Sequence, residues 1–146
     1  MRVMIVDDER MATEELYDIC VSHHLINEAV TFDNPTDALV FIAQNSDVDI
    51  AFLDIEMPIM TGLDLAKRIN TLSSETKIVF VTGIWQKEPI SAINGAIKKL
   101  NSMGYNNAYV VTLNEYKSGG GSHPSAKEHE EIAGVLMNFF KKNGIA

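Results

Sequence analysis

The sequence predicts an α/β fold in which five parallel strands form a doubly wound sheet within a single domain. Short runs of apolar and β-branched residues alternate along the chain with segments of helical periodicity, which is typical of β–α–β units. The first and third of these runs end in acidic residues, at Asp7-Asp8-Glu9 and at Asp54. The strand order 2-1-3-4-5 places these two ends side by side, at the edge of the sheet where ligands bind in such folds.

The third strand carries the most informative acid. Ile50 to Leu53 form a continuous apolar run, which is followed by Asp54. Such a run between turn signals indicates a strand that is buried on both faces. A charge directly after it is costly unless it serves a purpose, and Thr61 is better placed to cap the next helix. We therefore expect Asp54 to have a chemical role.

The acidic residues also predict a cation site. Asp7, Asp8 and Asp54 would converge in one small pocket if strands one and three are neighbours. Two carboxylates 4 Å apart repel each other by roughly 4 kcal/mol at an effective dielectric constant near 20. A hard divalent cation removes this cost, and Mg²⁺ takes oxygen ligands of this kind. The sequence therefore predicts a weak Mg²⁺ site.

Periodicity and capping signals define the remaining elements. The predicted strands are Arg2–Val6, Glu28–Phe32, Ile50–Leu53, Lys77–Val81 and Ala108–Leu113. The second strand alternates in polarity, which predicts a position at the edge of the sheet. Asn34, Thr61 and Ser125 are predicted N-caps, and Gly104 is predicted to end helix four. In helix five we expect Val135 to be buried with its apolar neighbours, and His129 to face solvent or the sheet edge.

Composition restricts the classes of function. The 146 residues fit one domain, and their apolar content of 46% is typical of a soluble globular protein. The net charge of −8 argues against nucleic acid as a direct partner. The sequence shows no apolar segment long enough to cross a membrane and no signal peptide. Because the single cysteine, Cys20, cannot form an internal disulfide, we expect a cytoplasmic protein. The lack of a long apolar segment predicts that the membrane is not a partner.

Two motifs resemble those of response-regulator receiver domains. They are Val-Asp-Asp-Glu at Val6–Glu9 and Leu-Asp-Ile-Glu-Met-Pro at Leu53–Pro58, with Gly62-Leu63 following the second. The resemblance covers about residues 1–82. It implies a CheY-like, flavodoxin-like fold and a place in a two-component phosphorelay, with a histidine kinase as the partner.

The resemblance assigns roles to single residues. It implies that Asp54 is the phosphoacceptor and that Asp7, Asp8, Asp54 and the main-chain carbonyl of Glu56 hold Mg²⁺. Thr82 stands where a serine or threonine of receivers donates a hydrogen bond to the phosphoryl group. A β-branched residue that merely ends a strand is the alternative for Thr82.

One residue departs from the receiver pattern. Receivers carry a lysine late in strand five, in a sequence similar to Tyr-Val-Val-Lys-Pro. This chain reads Tyr-Val-Val-Thr-Leu at Tyr109–Leu113, so Thr112 stands in place of the lysine. We therefore expect phosphorylation of Asp54 to be impaired.

The C-terminal part has a second resemblance. The segment Gly-Gly-Ser-His-Pro-Ser-Ala-Lys-Glu-His, residues 120–129, resembles the last motif of SGNH (GDSL-type) carbohydrate esterases. The resemblance covers about residues 83–146 and implies that His123 corresponds to the general base of those enzymes. An esterase of this type also needs a serine nucleophile after strand one, where this chain has Asp7-Asp8-Glu9. We therefore expect no enzyme activity, and His123 would be vestigial.

The two resemblances lead to three alternatives. The first is a receiver-derived scaffold that keeps the acidic Mg²⁺ pocket. The second is an esterase-like hydrolase that uses His123, and the third is a folded chain without activity. Because both families have doubly wound sheets, we hypothesise an engineered or recombined chimera that is joined between about residues 77 and 89.

Overall fold

Five strands and five helices alternate along the described part of the chain. The computed structural model describes residues 1–82, 90–112 and 125–145, and for Thr82, Ile90 and Thr112 it describes the backbone alone. Among the helices of these residues, none has the length and hydrophobicity that a membrane span requires. The elements are β1 (Arg2–Val6), α1 (Arg10–Val21), β2 (Glu28–Phe32), α2 (Pro35–Gln44), β3 (Ile50–Leu53), α3 (Gly62–Leu72), β4 (Lys77–Thr82), α4 (Ile90–Ser102), β5 (Ala108–Thr112) and α5 (Ala126–Lys142).

The strands form one sheet in the order β2-β1-β3-β4-β5, and every neighbouring pair is parallel. This confirms the predicted flavodoxin-like fold, with β2 at an edge and β3 at the centre. Val6 lies beside Leu53 in the register of β1 and β3. The next residues, Asp7 and Asp54, therefore leave the sheet at adjacent positions.

Helices cover both faces of the sheet, and a separate core lies on each face. Ile50 and Phe52 of β3 belong to the core under α1 and α5, whereas Ala51 and Leu53 belong to the core under α2, α3 and α4. All four side chains are buried. Burying a large apolar side chain contributes about 1.5–3 kcal/mol to stability. Because β3 is packed from both faces, the position of its carboxyl end is fixed.

The predicted helix termini are confirmed. The side chains of Asn34, Thr61 and Ser125 each accept a hydrogen bond from the backbone N–H three residues further on, as N-caps do. Beyond α4, Gly104 has a φ of 89°, a left-handed conformation that glycine adopts easily. These local signals fix where the helices begin and end.

The buried face of α5 differs from the prediction at one residue. Ile132, Leu136 and Phe140 are fully buried, whereas Val135 is 43% exposed. The buried stripe follows a spacing of four residues, and this spacing turns Val135 toward solvent. The expectation that Val135 is buried is therefore wrong.

Gly62 allows the loop after β3 to close against Asp54. A Cβ atom at residue 62 would lie 1.9 Å from the carbonyl oxygen of Asp54 and 2.9 Å from the Cα of Ile55. The Gly62 N–H donates a hydrogen bond to the carbonyl oxygen of Ile55 at 2.6 Å. The start of α3 is thus packed directly against the backbone of the candidate functional residue.

We expect Gly62→Ala to lower the free energy of unfolding by about 1–3 kcal/mol, because the backbone must move to admit the methyl group. Gly95→Ala is the matched control, since nothing lies within 4 Å of a Cβ atom at residue 95. Within a helix, alanine is more favourable than glycine by roughly 0.5–1 kcal/mol. Urea unfolding of both variants measures the difference, and equal stability of the two would contradict the close approach at Gly62.

Candidate functional site

Backbone hydrogen bonds hold two acidic residues at adjacent strand ends. The Asp54 N–H donates to the carbonyl oxygen of Val6 at 3.0 Å, and the Asp7 N–H donates to the carbonyl oxygen of Phe32 at 3.1 Å. Both bonds continue the hydrogen-bond ladders of the sheet beyond the last strand residues. Asp7 and Asp54 are therefore positioned by the backbone hydrogen bonds of the sheet.

The predicted convergence of three carboxylates is present. Asp7, Asp8 and Asp54 each offer an oxygen atom, and these atoms all lie within 4.8 Å of one another. Asp8 is exposed, whereas Asp7 and Asp54 are half-buried, so the cluster opens to solvent. At this separation two full charges repel each other by about 3–4 kcal/mol at an effective dielectric constant near 20.

Asp7 shows the cost of this arrangement. Burial raises the pKa of its carboxyl to about 6, and the charges of Asp8 and Glu9 also raise it. A hydrogen bond from the Glu9 N–H to Oδ1 at 2.9 Å lowers the pKa, as does a side-chain hydrogen bond with Asp54. The effects that raise the pKa of Asp7 are together larger than those that lower it. Without a cation, Asp7 therefore keeps its proton up to about pH 6.

The three carboxylates suit a small, hard cation. Mg²⁺ prefers oxygen ligands and usually keeps several water molecules. The acidic cluster offers carboxylate oxygens as ligands, and because it is open to solvent on one side it leaves room for the water molecules of the cation. A cation bound there would favour the ionised form of Asp7 and would offset the repulsion.

The loop between β3 and α3 lies beside this cluster. Met57 is buried in the core under α2, α3 and α4, so it anchors the middle of the loop. The side chain of Glu56 is exposed. This exposure is compatible with the role predicted for Glu56, which uses its main-chain carbonyl and not its carboxylate.

The other predicted site residues lie partly outside the described residues. Thr82 and Thr112 are neighbours in the register of β4 and β5, at the carboxyl ends of both strands. Their backbones are thus at the same edge of the sheet as the acidic cluster, as the predicted roles require. The side chains of Thr82 and Thr112, and all of His123, lie outside the part of the chain that the structure describes. The functions expected of these three side chains remain predictions.

A contact between α1 and α5 was not predicted. The Nε2 atom of His129 lies 2.9 Å from Oε2 of Glu15, and the two side chains are only 16% and 8% exposed. His129 therefore does not face solvent, which was one of the two placements expected for it. The two residues are 114 positions apart, so no local spacing in the sequence could have indicated this pair.

Comparison with known proteins identifies the family. The sequence profile described as Response regulator receiver domain matches residues 3–99, which is more than half of the chain. "Transcriptional regulatory protein YpdB" of Escherichia coli K12 is 37% identical over 92 residues, covering 63% of this chain and 37% of the relative. "Sensory transduction protein LytR" of Staphylococcus epidermidis is 34% identical over 82 residues, covering 56% and 32%. The chain thus spans only about a third of the length of these relatives.

Solved structures agree over nearly the whole chain. The response regulatory domain of protein MrkE from Klebsiella pneumoniae is 26% identical, with a TM-score of 0.61 and coverage of 97% of this chain and 99% of the other. The response regulator domain of Thermotoga maritima CheB has a TM-score of 0.64 at 21% identity, with coverage of 97% and 94%. At that identity the second comparison supports the fold alone.

The family match also bears on the second half of the chain. It continues through residue 99, which is past the junction predicted between residues 77 and 89. Receiver-like sequence therefore includes most of α4. The fold, the acidic cluster and the sequence match agree, and the chain belongs to the response regulator receiver domain family, whose members work in two-component signalling.

Proposed function

We propose that this chain accepts a phosphoryl group on Asp54 from the phosphohistidine of a histidine kinase, with Mg²⁺ held in the acidic pocket. The observation that carries the proposal is the convergence of Asp7, Asp8 and Asp54 within 4.8 Å at the carboxyl edge of the sheet. Family membership supplies the class of reaction. The geometry favours this class because phosphoryl transfer depends mainly on positioning and on compensation of charge.

Asp54 is suited to be the nucleophile. Its backbone is fixed by the bond to Val6 and by the approach of Gly62, and its half-buried side chain faces the open cluster. In the transfer, an Asp54 carboxylate oxygen forms the new O–P bond while the P–N bond of phosphohistidine breaks. The released imidazole nitrogen keeps the electron pair and takes up a proton.

Asp7 and Asp8 are suited to hold the cation. We propose that they bind Mg²⁺ together with Asp54 and the main-chain carbonyl of Glu56. When bound, Mg²⁺ neutralises charge on the carboxylates and on the phosphoryl oxygens. Asp8 is exposed, so it can contact a hydrated cation that arrives from solvent.

We propose that the missing lysine weakens the phosphorylated state. A phosphoryl group adds about 1.5–2 negative charges to a pocket that already contains Asp7 and Asp8. Thr112 ends β5 beside Thr82, and a threonine there can offer one neutral hydrogen bond at most. A lost hydrogen bond to a charged group costs about 1.5–3 kcal/mol, which is a factor of roughly ten to a hundred in equilibrium.

The chimeric origin and the esterase alternative remain hypotheses about the C-terminal part. The receiver match extends to residue 99, past the proposed junction between residues 77 and 89, and so it does not support a junction there. The end of β1, where an esterase of this type needs a serine, carries Asp7 and Asp8, and these acids converge with Asp54. This arrangement favours the receiver function over the esterase function of His123.

The prediction that nucleic acid is not a partner applies to this segment alone. A relative named as a transcriptional regulator is matched over only 37% of its length. We propose that contact with DNA in such proteins belongs to parts outside the matched segment, because the present chain carries a net charge of −8. The partner of this segment would then be a histidine kinase.

We expect acetyl phosphate with Mg²⁺ to label the parent chain weakly and on Asp54. Asp54→Asn should abolish the label, because an amide cannot form the acyl phosphate. Thr112→Lys should increase the label, since it restores a cation at the end of β5, and it should tighten beryllofluoride binding by about ten- to a hundredfold. Mass spectrometry of the intact variants measures the label. Equal labelling of parent and Asp54→Asn would contradict the proposed acceptor.

Mg²⁺ should stabilise the folded parent, because a ligand that binds only the folded state raises its stability by mass action. In the absence of metal, Asp8→Asn should be more stable than the parent, since it removes one charge from the cluster. In Asp8→Asn, Mg²⁺ should stabilise the fold less than in the parent. Thermal unfolding with and without millimolar Mg²⁺ measures both effects. A melting temperature of the parent that does not change when Mg²⁺ is added would count against the site.

The metal-free protein should lose stability as the pH rises from about 4 to about 6. The pKa of Asp7 is 3.8 in its ordinary state and about 6 in the fold. The unfolded chain therefore releases this proton first, so the contribution of Asp7 is complete below about pH 4 and is lost as the pH passes 6. Asp7→Asn should lack this loss, and Mg²⁺ should reduce it. Urea unfolding of the parent and of Asp7→Asn between pH 4 and 6 tests this prediction. The same pH dependence of the free energy of unfolding in both proteins would refute it.

A further inference from the structure

The sheet has an open edge at β2. Within the part of the chain that the structure describes, β1 is the only strand that pairs with β2. The Asp7 N–H donates to the carbonyl oxygen of Phe32, so Phe32 turns its backbone groups toward β1. Because alternate residues of a parallel strand turn these groups to the same neighbour, Ala29 and Thr31 present theirs to the open side. The edge can therefore accept a further strand.

A groove of about 330 Å³ lies beside this edge. Its volume is at the lower end of the range for ligand sites, which is about 300–1,000 Å³. The strand contributes Thr31 to its lining. Helix α1 contributes four residues: Thr13, Glu14, Tyr17 and Asp18.

The groove lies where a side chain of an added strand would arrive. Ala29 packs against the core under α1 and α5, and Thr31, two residues further on, points to the same face of the sheet. A strand beside β2 would lie about 4.8 Å from it, with every second side chain on this face. One of those side chains would therefore meet the groove next to Thr31.

The lining of the groove favours a cationic side chain. Asp18 is exposed, and its carboxylate has no hydrogen bond or ion pair with any residue that the structure describes. Glu14 lies one helical turn before Asp18 and pairs with Arg10 at 2.8 Å, where both side chains are largely exposed. Tyr17 is 38% exposed. A guanidinium group stacks on an aromatic ring and binds a carboxylate through two parallel hydrogen bonds, so arginine suits this lining better than lysine.

We propose that the edge of β2 docks an extended segment of a partner protein, and that an arginine of this segment enters the groove. The segment forms backbone hydrogen bonds with Ala29 and Thr31 as an added strand. Its guanidinium stacks on the ring of Tyr17 and pairs with the carboxylate of Asp18. The net charge of −8 attracts a basic partner to this surface. The contact uses no residue of the acidic cluster, so it is independent of the proposed phosphoryl transfer.

Short capped peptides are the probes. Each has arginine at its centre and threonine, valine or isoleucine around it, which are residues that favour strands. In one control peptide citrulline, a neutral analogue of similar shape, replaces arginine. In a second control the backbone nitrogens are methylated, so that they cannot donate to β2. The protein variants are Tyr17→Ala, Asp18→Asn and Glu75→Gln. Glu75 is an exposed acid between α3 and β4, so its variant removes the same charge elsewhere.

We expect Asp18→Asn to weaken binding of the arginine peptides by about tenfold, since it removes a hydrogen bond between charged groups. Tyr17→Ala should also weaken binding, whereas Glu75→Gln should bind as the parent does. The exchange of arginine for citrulline should weaken binding to the parent but not to Asp18→Asn, because that variant lacks the partner charge. Titrations followed by NMR measure the affinities, and circular dichroism verifies that each variant is folded.

Amide hydrogen exchange tests the strand pairing separately. In the complex, exchange of the Thr31 N–H should become slower, because this group gains an acceptor. The Val30 N–H faces β1 and serves as the internal reference.

Four results would overturn the inference. They are failure of every arginine peptide to bind, equal affinity of the arginine and citrulline peptides, equal losses in Asp18→Asn and Glu75→Gln, and unchanged exchange at Thr31. Undiminished binding of the methylated peptide would likewise exclude pairing with β2.

Discussion

The mutual repulsion of Asp7, Asp8 and Asp54 is the constraint on which the carboxyl edge of the sheet depends. Their oxygen atoms lie within 4.8 Å of one another, and the fold does not relax this arrangement. Asp7 and Asp54 cannot separate, because each directly follows a strand in a central, fully parallel ladder. The burial of β3 from both faces therefore supplies the stability that keeps the charges together.

Other unfavourable features lie in the same region. The loop after β3 contains the close approach of Gly62 to the Asp54 backbone and a strained turn at Ile59, whose φ is 77°. Strain and repulsion of this kind persist only where the surrounding structure holds them in place, and they occur often at functional sites. In this chain the packed strands and the buried Met57 provide that support. Only a few residues thus separate the well-packed strands from the site that contains the strain and the charge repulsion.

The elements that the sequence predicted well are those with a local physical signal. The apolar run of β3, the alternation in β2 and the caps at Asn34 and Thr61 each depend on residues close together in the chain, and so their predictions are confirmed. The acidic cluster was predictable because a doubly wound sheet of order 2-1-3-4-5 places the ends of β1 and β3 side by side. In each case the type of a residue and its position relative to nearby residues were sufficient for the prediction.

The features that were not predicted depend on tertiary structure. The pair of Glu15 and His129 joins helices that are distant in the chain. The exposure of Val135 depends on the rotation of α5 against the sheet, which apolar residue type does not define. The positive φ of Ile59 opposes the preference of its side chain, so no propensity could have indicated it.

The central claim is that Asp54 and the neighbouring carboxylates form one phosphoryl- and Mg²⁺-binding pocket. A crystal structure of the parent chain with Mg²⁺ and beryllofluoride tests this claim most directly. The account predicts beryllofluoride bonded to a carboxylate oxygen of Asp54, and Mg²⁺ bound by oxygen atoms of Asp8, Asp54 and the Glu56 carbonyl, with Asp7 holding the cation through a water molecule. A structure from the same conditions in which Asp54 is unmodified and the three carboxylates bind no cation would contradict it.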